Sequence, residues 1–149
     1  MSRTIQFLAL ASTFALACRS TPQSDGGTAT LASGVTIELD RTTYNPGSPV
    51  RLRITNHTNE TLGFNPCTRS LERRQGDRWS LIVEAGRVCT MRLYLLNPHA
   101  TRTEPTELPS TLDRGTYRLV LSFTRETPGV TPQTPAATIR ATSPTFEVQ

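Results

Sequence analysis

The chain has 149 residues, 16 Lys+Arg against 12 Asp+Glu, a formal net charge of +4 and 36% hydrophobic residues. Once a leader and linker are set aside, that length holds one core and not two. The basic residues are all arginine, and GxSxG, HExxH, P-loop and GxGxxG patterns are missing, which removes the usual machinery of hydrolases, metalloproteases and nucleotide-binding enzymes. The expectation is a non-enzyme without cofactor or metal: there is no CxxC, and His57 and His99 stand far apart, as surface loop residues do.

The chain opens with Arg3 ahead of an apolar run, residues 5–17, that ends Ala15-Leu16-Ala17-Cys18. One positive charge before a run too short to span a bilayer marks an export signal over residues 1–17. The cut site resembles the lipobox of bacterial lipoproteins, which implies that Cys18 carries acyl chains and anchors the protein without any membrane-spanning segment. Ala15 stands where that family prefers Leu, and Ala-x-Ala equally suits ordinary signal peptidase, which would release a soluble secreted module. Lipidation of Cys18 also accounts for an odd cysteine in an exported chain, leaving Cys67 and Cys89 to pair. Residues 18–33 are polar and read as a tether with a reach of roughly 20 Å. Arg19, not Asp, follows Cys18; Asp there resembles an inner-membrane retention signal, so the outer membrane is the expected address in a Gram-negative cell.

Residues 34–149 read as one β domain. Val35, Ile37 and Leu39 alternate with polar residues, as do Val50, Leu52 and Ile54, then Met91, Leu93 and Leu95, then Tyr117, Leu119, Leu121 and Phe123. Each set predicts a strand with one buried and one wet face. Shorter runs fall at residues 62–64, 71–74, 79–83 and 146–148. Asn45-Pro46-Gly47 and Gln75-Gly76-Asp77 supply turns, the second a hairpin. Strands at this spacing predict an antiparallel β-sandwich of about seven or eight strands.

Tyr44-Asn-Pro46-Gly47-Ser-Pro-Val50-Arg51-Leu52-Arg53-Ile54-Thr-Asn56 resembles the opening of bacterial immunoglobulin-like domains. Cys67, Leu71-Glu72-Arg73, Gly76-Asp77-Arg78-Trp79, Cys89 and Leu112-Asp113-Arg114-Gly115-Thr116-Tyr117 continue the resemblance, so an immunoglobulin-like sandwich is implied. Asp113-x-Gly115-x-Tyr117 is similar to a tyrosine corner, whose phenol bonds back to nearby backbone. Leu119 stands where antibody-type domains place the second cysteine of their inter-sheet bridge.

Cys67 and Cys89 flank the segment containing Trp79, and an exported chain favours their pairing over two separately buried thiols. Arg51 and Arg53 should face outward from one strand, while Arg73, Arg74 and Arg78 gather at the hairpin. They are candidates to bind an acidic envelope protein or cell-surface polymer, against the plainer reading of a solubilised sheet. Nucleic acid is not an expected partner outside the cytoplasm.

Glu104 and Glu107 read as solvated loop or edge charges around Pro105, and Glu72 as a partner for an arginine across the hairpin. Asn56-His-Thr58 and Asn59-Glu-Thr61 match glycosylation acceptors in form, but Asn56 reads as a strand end. The Pro-rich residues 127–135 read as a loop. Together these features predict an envelope lipoprotein presenting a binding or structural domain. Small β-sandwich proteinase inhibitors have similar openings, and that alternative would use the Gly76 hairpin and the Pro-rich stretch as inhibitory loops.

Overall fold

The computed structural model describes residues 34–126 and 138–149. The leader, Cys18, the tether and the Pro-rich residues 127–135 lie outside the described residues. The eleven strands described are β1 Val35–Leu39, β2 Thr43–Tyr44, β3 Pro49–Asn56, β4 Thr61–Phe64, β5 Ser70–Gln75, β6 Arg78–Ile82, β7 Tyr94–Leu96, β8 Thr101–Glu107, β9 Gly115–Glu126, β10 Thr138–Thr142 and β11 Phe146–Val148. They form two sheets, one of three strands in the order β1-β3-β8 and one of eight built around β9.

The count exceeds the expected seven or eight because long strands are interrupted. β4 pairs with the end of β9 and β5 with its beginning. The two are one strand line broken by a 3-10 turn at Pro66–Thr68. β7 pairs with β4 and β6 with β5, so the neighbouring line is broken at the same level, by residues 83–93. β10 and β11 are likewise one line along the other side of β9, interrupted at Ser143, whose Oγ accepts from Leu119 N at 2.9 Å. One pairing departs from the antiparallel expectation: β11 runs parallel to β2.

Alternation places Val50, Leu52 and Ile54 of the small sheet against Leu62, Phe64, Leu71, Leu119, Leu121 and Phe123 of the large one, all buried. Phe64 and Phe123 meet at 5.3 Å between ring centroids, and Phe146 meets Tyr44 edge-on at the same spacing. Burying each such side chain contributes about 1.5–3 kcal/mol. Leu119, where an antibody domain has cysteine, is a fully enclosed core residue.

The turns are as the sequence expects. Ser48 N donates to Asn45 O at 3.1 Å, and Gly47 takes φ +74° in the position that demands it. Gln75 pairs with Arg78 across a two-residue hairpin. The tyrosine corner is formed: Tyr117 Oη donates to Asp113 O at 2.8 Å. Gly115 sits at φ +153°, and the Arg73 guanidinium occupies the place of any side chain, 3.1 Å from where a Cβ would be.

A second tyrosine ties the start of the domain. Tyr44 Oη donates to Asp40 Oδ1 at 2.8 Å, and Arg51 N donates to the same oxygen at 2.9 Å. Burial pushes the Asp40 carboxyl up, but these two donors and the Arg41 guanidinium outweigh it, holding the group below its ordinary value. A depressed folded pKa means that this stability is present above the unfolded value and lost as pH falls through the folded one. Acid unfolding followed by circular dichroism is therefore expected to show a loss below about pH 4 that Asp40→Asn removes. Equal pH profiles for the two proteins would refute it.

Four sequence readings are corrected. Met91, Leu93 and Leu95 are the exposed set of their alternation, and Leu96 is buried and Tyr94 half-buried in their place. Glu104 is not solvated: it lies 7% exposed on β8, an edge strand, against the Arg102 guanidinium. Glu72 pairs with Arg118 of β9 at 2.6 Å and with Arg140 of β10, not across the hairpin, because its register neighbour on that other side is Arg118. The five candidate arginines do not form one patch, since Arg51 and Arg53 lie on the small sheet and Arg73, Arg74 and Arg78 on the large one.

Candidate functional site

The side of the sandwich where β8 of one sheet faces the broken β6–β7 line of the other is open, and a groove of about 970 Å3 runs along it. Strand β8 and the following residues 108–113 form one wall. The 3-10 turn, residues 83–87 and Tyr94 form the other. Both breaks in the large sheet fall here, and Cys67 in one is bonded to Cys89 in the other, with 5.5 Å between their Cα atoms. The bridge therefore does not cross between sheets. It holds the 83–93 excursion against the turn it faces.

Arg69, two residues from Cys67, points into the groove with its side chain 1% exposed. Its Nη1 donates to Glu84 Oε1 at 2.5 Å, its Nε to Thr106 Oγ1 at 2.6 Å and its Nη2 to the Glu107 carbonyl at 2.5 Å. Burial pushes the guanidinium down from its ordinary value, and Glu84 opposes that shift. Arg87 donates to the other side of Glu84 Oε1 at 2.7 Å and to the Cys67 and Arg69 carbonyls. Arginine suits this place because its fork spends every donor in fixed directions. One side chain thus ties the two sheets, and a second clamps the excursion to the disulfide.

Further along the groove Tyr94 lies between the Arg92 and Arg102 guanidiniums, at 4.7 and 4.6 Å from its ring centre. At the hairpin end Arg73 pairs with Asp113 at 3.1 Å and reaches over Tyr117. Trp79, expected as a structural residue between the cysteines, stands half-buried on the outer face under Arg118, 4.2 Å from the guanidinium carbon. The lining contains no histidine, and its cysteine is in the bridge. The arrangement locks strands together and presents charge; Arg69, Arg73 and Arg87 already hold acceptors.

The candidate residues outside this groove are placed simply. Arg53 pairs with Glu38 at 3.6 Å on the outer face of the small sheet, beside exposed Arg51. Arg74, Arg78 and Arg114 take no part in the ion pairs among the described residues. His57 contacts Thr36 Oγ1 and His99 contacts Asn59 Oδ1, both at exposed positions. Among the described residues no group of three His, Cys, Asp or Glu side chains could hold a metal. The buried Arg69 and its half-buried partners Glu84 and Arg87 were missed from sequence. Their signal is proximity: Arg69 and Arg87 each lie two residues from a bridging cysteine.

Two sheets packed face to face, a tyrosine corner and interrupted edge lines define an immunoglobulin-like β-sandwich, a class of binding and structural modules. A model of the bacterial Ig-like domain matches residues 31–138, and the chain belongs to that family. No curated protein matches it. Among solved structures it is similar to the ASH / PapD-like domain of human CEP192 (PapD-like domain 7), at 13% identity. That match covers 93% of this chain and 100% of the other, with a TM-score of 0.35.

The bridge gives the next test. Closing a loop of this length contributes about 3 kcal/mol, so a Cys67→Ala, Cys89→Ala double variant should lose that much in a urea titration. A loss under about 1 kcal/mol would mean that the Arg69–Glu84–Arg87 cluster alone holds the excursion.

Proposed function

We propose that the protein is an exported envelope lipoprotein, anchored through Cys18, whose immunoglobulin-like domain binds an acidic envelope partner through the tip of the β5–β6 hairpin. The observation that carries this reading is the position of Arg74, Arg78 and Arg114, which take no part in the ion pairs among the described residues. Arg74 and Arg78 face the beginning of β9 through β5, and Arg114 directly precedes that strand. Gly34 is bound to His57 at the other end, where Thr61 pairs with Glu126. The twelve residues of β9 set those ends roughly 35 Å apart. A tether entering at one end leaves the arginines at the other free to reach a partner. Guanidinium forks suit carboxylate and phosphate acceptors, and the disulfide accords with an oxidising compartment.

The test is cross-linking in intact cells with mass spectrometry of what co-purifies, comparing the wild type with an Arg74→Glu, Arg78→Glu, Arg114→Glu variant. One dominant acidic envelope component, lost in the variant, is the expected result. Recovery of a protease in its place would favour the inhibitor alternative, and a partner retained by the variant would remove the hairpin from the reading. Acyl chains on the Cys18 peptide, abolished by Cys18→Ser, check the anchor separately.

A further inference from the structure

The large exposed hydrophobic residues among those described are Leu81, Val83, Val88, Met91, Leu93 and Leu95, and they all fall on β6, on β7 or on the residues that join them. Val88 is 90% exposed and Met91 fully exposed. Such residues scattered singly over a surface need no explanation, but a contiguous stretch marks a contact surface. The other edges are guarded differently. β8 carries Pro105 and alternating charges, and β2 is two residues long. On the β6–β7 line, register sets Leu81 opposite Glu72 and Leu95 opposite Gly63, so both face outward, and among the described residues neither strand has a partner on its far side.

We infer that this edge docks on an anionic phospholipid surface, with Val88, Met91 and Leu93 entering the headgroup boundary. Three observations support a bilayer. The first is charge: residues 83–93 carry Arg87 and Arg92 against the single carboxylate of Glu84, and that carboxylate pairs with Arg87 and with the enclosed Arg69. Arg92, stacked on Tyr94, takes no part in the ion pairs among the described residues and flanks Met91. Exposed apolar side chains interleaved with arginine match the layering of acyl chains beneath phosphate.

The second is where the chain leaves the domain. Gly34 O accepts from His57 N, and the adjoining Asn56 side chain donates to Leu96 O and Asn97 O, so Gly34, the first described residue, lies beside the end of β7. Residues 18–33 reach roughly 20 Å, which keeps this edge within range of the bilayer that holds Cys18. This part rests on the lipid-anchor reading; the chemistry of the edge does not. The third is rigidity. The Cys67–Cys89 bridge and the Arg87 clamp hold the excursion in its exposed form, so little ordering cost accompanies docking. With the edge on the lipid, the hairpin arginines extend along the membrane toward partners embedded in it.

The test is local contact with lipid. The full chain, carrying Trp79→Phe and Met91→Trp, is reconstituted in vesicles of phosphatidylglycerol and phosphatidylethanolamine that contain brominated lipid, which quenches tryptophan on contact. Fluorescence at position 91 should fall roughly twofold, and much less in phosphatidylcholine vesicles or with Arg92→Glu added. A tryptophan placed at Arg51 should be unaffected. Quenching at 91 no greater than at 51 would overturn the inference, as would quenching at 91 that rises as the protein is diluted within the vesicle, the mark of a second copy covering the edge. Cys18 found unacylated in cells would defeat the anchor reading while leaving this readout intact.

Discussion

Arg69→Ala is expected to destabilise the domain by about 3–5 kcal/mol, the cost of removing one partner from a buried ion cluster. The substitution leaves Glu84 with Arg87 alone, frees Thr106 Oγ1 and the Glu107 carbonyl inside the groove, and removes the side chain that ties β8 to the large sheet. The value follows from leaving groups unpaired more than from the worth of the pair itself. Arg69→Met combined with Glu84→Met is therefore expected to recover part of the loss, since paired removal leaves no lone charge. Urea titrations of the wild type, both single variants and the double variant would measure this coupling. A single-variant loss below about 1 kcal/mol would show that the cluster is solvated and that the sheets close without it.

That cluster also shows where reading the sequence stops. The alternation of Val50, Leu52 and Ile54, or of Tyr117, Leu119 and Leu121, is a local property of a strand with one dry face, and it located those strands correctly. The tyrosine corner and the Pro46-Gly47 turn are equally local, because each closes within a few residues. Strand β8 was hidden because Pro105 and four charged or hydroxylated neighbours suit an edge strand as well as a loop. Its pairing with β3 is set by residues far away in sequence.

The phase of an alternation is harder to read than its period. Met91, Leu93 and Leu95 give a strand pattern that by composition should face the core, yet Leu96 fills the core instead and Tyr94 the groove wall. A register shift of one residue inverts the two faces, and only the partner strand decides between them. Here Phe64 opposite Tyr94 and Leu62 opposite Leu96 make that decision, leaving the more apolar face outside. An inverted edge of this kind costs solubility in a free protein, which is why it points to a surface that covers it.

Asn56→Asp provides the second large effect, and it separates burial from mere strand termination. Asn56 is fully buried; its Nδ2 donates to the carbonyls of Glu60, Leu96 and Asn97 at 2.8, 3.1 and 3.1 Å, and its Oδ1 accepts from Thr58 N and Oγ1. It joins the end of β3, the following turn and the exit of β7, and its amide nitrogen is not accessible for glycan transfer in the folded protein. An aspartate has the same shape, but at neutral pH it would aim a buried negative charge at three carbonyl oxygens. The expected loss is about 3 kcal/mol or more, at least that of Asn56→Ala. In the variant that environment raises the folded carboxyl pKa above its unfolded value, so the lost stability should return as pH falls toward 4 and disappear again as pH rises. Thermal melts of Asn56→Asp across that range, beside Asn56→Ala as the pH-insensitive control, measure it directly. Equal melting temperatures for wild type and Asn56→Asp at pH 7 would mean that this side chain reaches solvent and merely ends a strand.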